Sequence, residues 1–376
     1  MQASLYTGKV RAYMRRNHIP VIERGAGHPE FYSTIFSQLK RYIMPVLVTP
    51  SGEIIQDGTD ILDYLEDKGV GRQPLYPDDP VIKAIAFIFE HFGNEGMMRP
   101  NMHYRWNFDE DNLEFLKITF KDVLPPPSDK NVKAADFEFA SGRMRNAAKA
   151  FGVTPQAYEN IEQSYHEFLA LYNAHLSQSY YLLGNAPTIA DYGMFNGLYA
   201  HLARDPKPSH LMKTKAPYVW NWIERMNAPE QIQEHMIENP PTTLFGAENL
   251  PDTLKKLLLY VGQEMSAEFS AHVDFANQWL AMQDGPPKII KKPLGEGIGL
   301  AEFQWRGQVL KTAVKPYRFY LSQRLWDHFD SCGEDQQKAI YEALDEAGLE
   351  VFVTKRPDRR IVRENYQEVW TGDVMH

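Results

Sequence analysis

The stretch at residues 44–66, MPVLVTPSGEIIQDGTDILDYLE, constrains the fold more than any other. Three apolar residues (Val46, Leu47, Val48) follow a proline, and a Pro50-Ser51-Gly52 turn leads to a second apolar pair, Ile54 and Ile55. A helical pattern begins after Asp57. Short apolar runs around a turn, followed by a 3.6-residue period, predict a hairpin that feeds a helix. A proline that opens a strand gives up one ladder donor, and the bond before it has access to the cis form. Such a unit presents backbone groups, the kind of surface that holds a peptide.

Residues 4–18, SLYTGKVRAYMRRNH, read as a loop giving way to a helix near Gly8. Val10, Tyr13 and Met14 share one face, and Lys9, Arg11, Arg15 and Arg16 take the others. Ser4, Tyr6 and Thr7 therefore stand at a helix N-terminus. A free thiol titrates at about 8.5, and a helix N-terminus with a hydroxyl donor lowers that value by favouring the thiolate. Hydroxyl residues before a helix also serve as N-caps, and Thr7 suits that role.

These two segments resemble the glutathione transferase family. Ser4-Leu5-Tyr6-Thr7-Gly8-Lys9-Val10-Arg11 matches the Ser-x-x-Ser/Thr-x-Lys/Arg-Val-Arg phrase of its serine-type members, and 44–66 matches the cis-proline strand, hairpin and helix of its thioredoxin-like half. The resemblance implies that Ser4, with Tyr6 as the alternative, donates to the glutathione thiolate. It further implies that Lys40 (with Arg41), Pro45, Val46, Asp57, Gly58 and Thr59 hold the tripeptide, and that Pro45 follows a cis bond. Two departures stand out. The family places a serine after the acidic residue, where this chain has Gly58; losing a hydroxyl donor to a charged group costs about 1.5–3 kcal/mol. The family also places a strand before the serine, where only Met1, Gln2 and Ala3 stand, so either the start is truncated or another segment fills the gap.

Further along, 19–23 reads as a strand, and 69–80 as a linker with glycines and prolines. From 81 the chain is helical, beginning with the nearly all-apolar 81–92. In the family, helices after the linker wall the pocket for the electrophile, which makes Met97, Met98, His103 and Tyr104 candidates there. Pro187-Thr188-Ile189-Ala190-Asp191 opens a helix with a Thr-x-x-Asp capping box, similar to the buried capping motif of the family's C-terminal half. Beyond about 250 the resemblance stops. Helices are expected near 254–279, 316–329 and 335–347, loops at 124–128 and 285–299, and a short strand at 349–354. The basic cluster Lys355, Arg356, Arg359, Arg360 and Arg363 reads as a solvated turn or a receiver for an anionic partner.

At 376 residues, more than one domain is expected. The formal charge of -9 argues against nucleic acid as the main partner. A single cysteine, Cys332, leaves no internal disulfide, and no long apolar run suggests a membrane span, so a cytoplasmic protein is expected. No His or Cys spacing suits a metal. The expected architecture is α/β plus all-α. A thioredoxin-like N-terminal domain without its first strand (1–68) and the linker (69–80) precede an all-helical glutathione transferase C-terminal domain (81–240) and a mostly helical extension (250–376). The implied activity is conjugation of glutathione, as cosubstrate, to a small hydrophobic electrophile, and the resemblance implies a homodimer of the kind family members commonly form. The alternatives are a non-catalytic binding or scaffold protein on the same fold, and glutathione-dependent ether cleavage, isomerisation or peroxide reduction.

Overall fold

The structure, a computed structural model, describes residues 3–120, 130–229, 243–283 and 297–374. Its N-terminal unit holds α1 (Thr7–Arg16), a short α2 (Ser37–Leu39), β1 (Val46–Val48), β2 (Ile54–Gln56) and α3 (Gly58–Asp67). β1 and β2 pair antiparallel with Val46 opposite Gln56, and the Met44–Pro45 bond is cis. Among the described residues no strand precedes α1: residues 3–6 turn instead, with Ala3 and Leu5 buried. The strand expected at 19–23 does not form either. Val21 and Ile22 are exposed at 48% and 80%, and without a neighbouring strand their apolar pattern has neither ladder nor cover.

The helical unit comprises α4 (Pro80–His91), α5 (Met98–Trp106), α6 (Asp109–Thr119), α7 (Lys130–Ala148), α8 (Tyr158–Leu176), α9 (Ile189–Gly197), α10 (Pro206–Lys215) and α11 (Pro217–Asn227). Asp79 caps α4, its carboxylate accepting from the amides of Val81 (2.9 Å) and Ile82 (3.0 Å). Apolar residues all round make α4 the central helix, packed on α9. The two backbones approach so closely just after α4 that a Cβ on Gly93 would lie 2.2 Å from the Gly193 carbonyl oxygen.

At α9 the capping box forms. Thr188 Oγ1 accepts from Ala190 N (3.3 Å), and Asp191 accepts from Thr188 N (3.1 Å), Leu182 N (2.9 Å) and the Trp222 indole (3.0 Å). One carboxylate thus ties the preceding loop, the cap and α11 together.

The extension holds α12 (Asp252–Ala281), β3 (Gly299–Trp305), β4 (Gln308–Val314), α13 (Pro316–Ser331), α14 (Glu334–Asp345), α15 (Val351–Thr354), β5 (Arg359–Glu364) and β6 (Gln367–Val374). Residues 349–354, expected as a strand, end in helix α15. Leu349, Phe352 and Val353 are buried at i, i+3 and i+4, a helical spacing that a strand would split between two faces. Two hairpins were not anticipated. In β3–β4, Ala301, Phe303 and Trp305 point inward across a two-residue Arg306-Gly307 turn with positive φ at both positions (45° and 77°). β5–β6 turns at Asn365-Tyr366, also with positive φ.

The loop expected at 124–128 and most of that at 285–299 lie outside the described residues. The extension shares its core with the rest of the chain. Leu325, Trp326, Ile361 and Trp370 belong to the same apolar cluster as Tyr13, Ile61, Ile85 and Phe195. A second cluster joins Leu5 to Met98, Trp106, Phe303 and Trp305.

Candidate active site

The starts of α1 and α3 converge, because a Cβ on Gly58 would lie 3.1 Å from the Tyr6 carbonyl oxygen. Asp57 holds the corner. Its amide donates to the Pro45 carbonyl (3.0 Å), and its carboxylate caps α3 by accepting from Thr59 N (2.6 Å). Its backbone takes φ 67° and ψ 150°, a region that favours glycine, so these contacts hold a strained residue in place.

Lys9 explains why glycine follows. Its ammonium donates to Thr59 Oγ1 (2.7 Å) and Glu90 (3.0 Å), all three groups fully buried. A Cβ on Gly58 would stand 2.7 Å from Lys9 Cε. Gly58→Ser is therefore expected to destabilise the fold by about 1–3 kcal/mol in a urea melt, through displaced packing at Lys9. The loss should shrink in a Lys9→Ala background; an unchanged loss would place the clash elsewhere.

The hydroxyls before α1 differ in what they touch. Ser4 is buried, and its hydroxyl has no hydrogen-bond partner among the described residues. The Tyr6 hydroxyl donates to Glu95 (3.3 Å) and lies 3.8 Å from Met98 Sδ. Burial, and next the Glu95 charge, push the Tyr6 phenol well above its ordinary pKa, so it stays protonated.

The described chain matches two family descriptions: Glutathione S-transferase, N-terminal domain, over residues 1–73, and Glutathione S-transferase, C-terminal domain, over residues 155–225. The chain carries a glutathione S-transferase N-terminal domain and a glutathione S-transferase C-terminal domain. Among solved structures it is similar to glutathione transferase GSTFuA3 from Phanerochaete chrysosporium, with 15% identity, a TM-score of 0.40, and 61% of this chain and 92% of that one covered. It is also similar to the beta-etherase LigF from Sphingobium sp. strain SYK-6, with 20% identity, a TM-score of 0.41, and 60% and 93% covered. A third is CsGST63524 of Ceriporiopsis subvermispora, solved in complex with glutathione, with 16% identity, a TM-score of 0.35, and 61% and 92% covered. No curated protein matches.

The extension, beyond both glutathione S-transferase domains, reaches into the site. Arg363 on β5 donates to Asp57, Asp60, Glu368 (3.2 Å) and the Gln56 carbonyl (3.2 Å). Burial works against the Asp57 charge, but Arg363 and Lys9 hold its carboxyl below the usual range. Asp60 shares the same guanidinium and is pushed up to about 6, by burial first and then by the Asp57 charge. The basic cluster is thus stapled to acids: beside Arg363, Lys355 pairs with Asp274, Arg356 with Asp330 and Arg360 with Asp327.

The hairpin carrying Arg363 is firmly seated. Gln323 on α13 bonds both the amide (2.7 Å) and the carbonyl (2.9 Å) of Ile361. Burial of Ile361, Val369 and Trp370 contributes on the order of 5–8 kcal/mol. A competing ligand cation gains about 1.5–3 kcal/mol from a charged hydrogen bond, so it would not lift the hairpin.

A second buried network lies behind Tyr6. Glu95 accepts from Arg318 of α13 (2.9 Å), which also donates to Glu268 (2.8 Å). Arg99 reaches the other Glu268 oxygen (2.8 Å), and His272 meets Thr312 (2.8 Å). Burial opposes the charge on Glu268, and Arg99 and Arg318 overcome it, holding its carboxyl well below the usual range. Beside this network Tyr317 of α13, half-buried, stands in the field of Asp57, Arg363, Tyr6 and Glu95.

The structure brings Tyr6, Pro45, Asp57, Gly58 and Thr59 to one corner, with Ser4 buried two residues before Tyr6 and Val46 half-buried on β1. Lys40 is exposed at the end of α2 (φ 53°), while Arg41 is turned to Glu368 (2.9 Å) and the Tyr366 carbonyl (2.8 Å). Of the pocket candidates, Met98 reaches Tyr6. Met97 is packed in the main core, His103 bonds Glu162 (2.9 Å), and the Tyr104 ring stacks on Phe108. Sequence reasoning missed Lys9, Glu95, Tyr317, Arg318 and Arg363. Lys9 looks no different in sequence from Arg11, Arg15 and Arg16 on the same helix, and the placement of all five residues depends on contacts across the whole chain. Among the described residues, no group of three or more His, Cys, Asp or Glu is placed to hold a metal, and no helix is long and apolar enough to cross a membrane.

Proposed function

We propose that the protein is a glutathione-dependent transferase that delivers the thiolate to a hydrophobic electrophile, with Ser4 as the hydrogen-bond donor to the thiolate sulfur. The observation that carries this reading is the meeting of the α1 and α3 starts beside Pro45, with an unpartnered Ser4 hydroxyl. Tyr6 is the weaker choice because its hydroxyl is committed to Glu95. Pro45, Val46, Asp57, Gly58 and Thr59 hold the tripeptide, Lys40 lies within reach of its anionic end, and Met98 contributes to the apolar wall.

A hydrogen bond to a charged sulfur contributes about 1.5–3 kcal/mol, so Ser4→Ala should lower kcat/KM for model electrophiles roughly 10- to 150-fold. The pH midpoint of the rate should move upward, since the thiol then ionises less readily. Tyr6→Phe should leave the rate within about threefold. The reverse ranking would transfer the role to Tyr6, and indifference to both changes would remove it from this corner.

A non-catalytic binding protein on the same fold is the second reading, favoured by the pairing of Asp57 with Arg363. Its mark is absence of turnover at saturating glutathione across a panel of electrophiles.

A further inference from the structure

We infer that this site recognises its thiol cosubstrate without reading an ammonium group: Arg363 of the C-terminal hairpin fills the seat a ligand's amino group would take, so a thiol peptide lacking that group binds as well as glutathione. The inference deepens the glutathione-dependent reading above and rests on it.

Glutathione carries one ammonium, at its γ-glutamyl end. An ammonium drawn out of water is best met by a carboxylate oxygen that no other donor holds. The carboxylates around Tyr6 and the start of α3 are Asp57, Asp60, Glu90, Glu95 and Glu368, and every oxygen of the five already accepts. Glu90 takes Lys9 (3.0 Å) and Arg324. Asp57 takes Thr59 N (2.6 Å) and Arg363. Asp60 takes the Tyr320 hydroxyl (2.9 Å) and Arg363. Glu368 takes Arg363 (3.2 Å) and Arg41 (2.9 Å), and Glu95 takes Tyr6 (3.3 Å) and Arg318 (2.9 Å).

A point-like ammonium cannot replace the Arg363 fork, which spans three carboxylates and the Gln56 carbonyl together. The hairpin under it is fixed by Ile361, Val369 and Trp370. At this corner the hydroxyls of Ser4 and Tyr317 have no hydrogen-bond partner among the described residues, and neither does the uncharged amide oxygen of Gln56, whose Nε2 donates to the Tyr366 carbonyl (2.8 Å). Both hydroxyls can donate to a thiolate or a carboxylate. The site therefore offers donors for the anionic parts of a thiol peptide and, for a cationic part, no vacant carboxylate oxygen, only the neutral amide oxygen of Gln56.

The test is calorimetric titration of the full chain with glutathione and with glutaryl-cysteinylglycine, the same peptide with hydrogen in place of the amino group. The expected dissociation constants agree within about threefold. Glutathione binding about tenfold or more tightly would overturn the inference while leaving the transferase reading intact.

The same pair of ligands is titrated into Arg363→Gln/Glu368→Gln, which removes one charge of each sign and frees Asp57 and Asp60. Glutathione should now be preferred by about tenfold or more. A variant with unchanged circular dichroism and no such preference would overturn the inference. If neither ligand binds the natural chain and glutathione binds the variant, the seat is confirmed as filled by Arg363 and the glutathione reading of the natural chain fails. If neither ligand binds either protein, both readings fall.

Discussion

Arg318→Met is expected to cost the fold about 3–5 kcal/mol, because it strips a guanidinium from two buried carboxylates at once. Burial opposes the Arg318 charge, yet Glu268 and Glu95 hold its pKa above the ordinary value, so the cation is a fixed part of the network. Without it, Glu268 keeps Arg99 and Thr312, whereas Glu95 keeps only the Tyr6 hydroxyl. The stranded charge should therefore be Glu95, and Arg318→Met/Glu95→Gln should recover part of the loss. Urea midpoints of the three proteins measure both effects. A loss under about 1 kcal/mol in the single variant would mean that water reaches the network and screens it.

The second large effect is on pH dependence. Burial, followed by the Arg318 charge, lowers both His91 and His272 to about 3. Below the unfolded value of about 6.5, the unfolded chain then binds protons that the folded chain refuses, so stability falls as pH falls from 6.5 toward 3. Between pH 7 and pH 5 this amounts to about 2 kcal/mol for each histidine. Asp60 and Asp191, pushed up to about 6, run the other way: their folded forms hold protons that the unfolded chain releases, which adds stability as pH falls through 6. A direct comparison isolates the histidine. His272→Gln keeps a polar group for Thr312 and should gain about 2 kcal/mol on the natural chain between pH 7 and pH 5. Parallel stability curves for the two proteins would show that His272 is protonated in the fold.

Legibility from sequence followed contact distance along the chain. The hairpin at 44–66 and the Thr188–Asp191 box could be read because their partners lie within a few residues. The capping role of Asp57 was legible for the same reason. The β3–β4 hairpin was readable too, since Ala301, Phe303 and Trp305 alternate with Glu302 and Gln304. It was passed over because Arg306-Gly307 lacks the usual Asn-Gly or Asp-Gly turn signature. Periodicity put Met97, Met98, His103 and Tyr104 on a helix but could not say which neighbours the helix has. Packing sends Met98 and Met102 toward Leu5 and Phe303, and Met97 and Tyr104 into the main core.

The basic cluster shows the limit most clearly. Five cations within nine residues look like a solvated turn, and Arg363 meets Asp57 only because 306 positions of intervening chain fold back on themselves. The sequence by itself determined the local units: a proline-led hairpin, Asp57 at a helix start, hydroxyls ahead of α1, and a capped helical half. Each of these follows from backbone sterics and hydrogen bonds closed over a few residues. Only the tertiary structure decided what faces that corner. Charge pairs form between groups that burial brings together, whatever their separation in the chain, and burial here set the extension's Arg318 and Arg363 against carboxylates of the first two units.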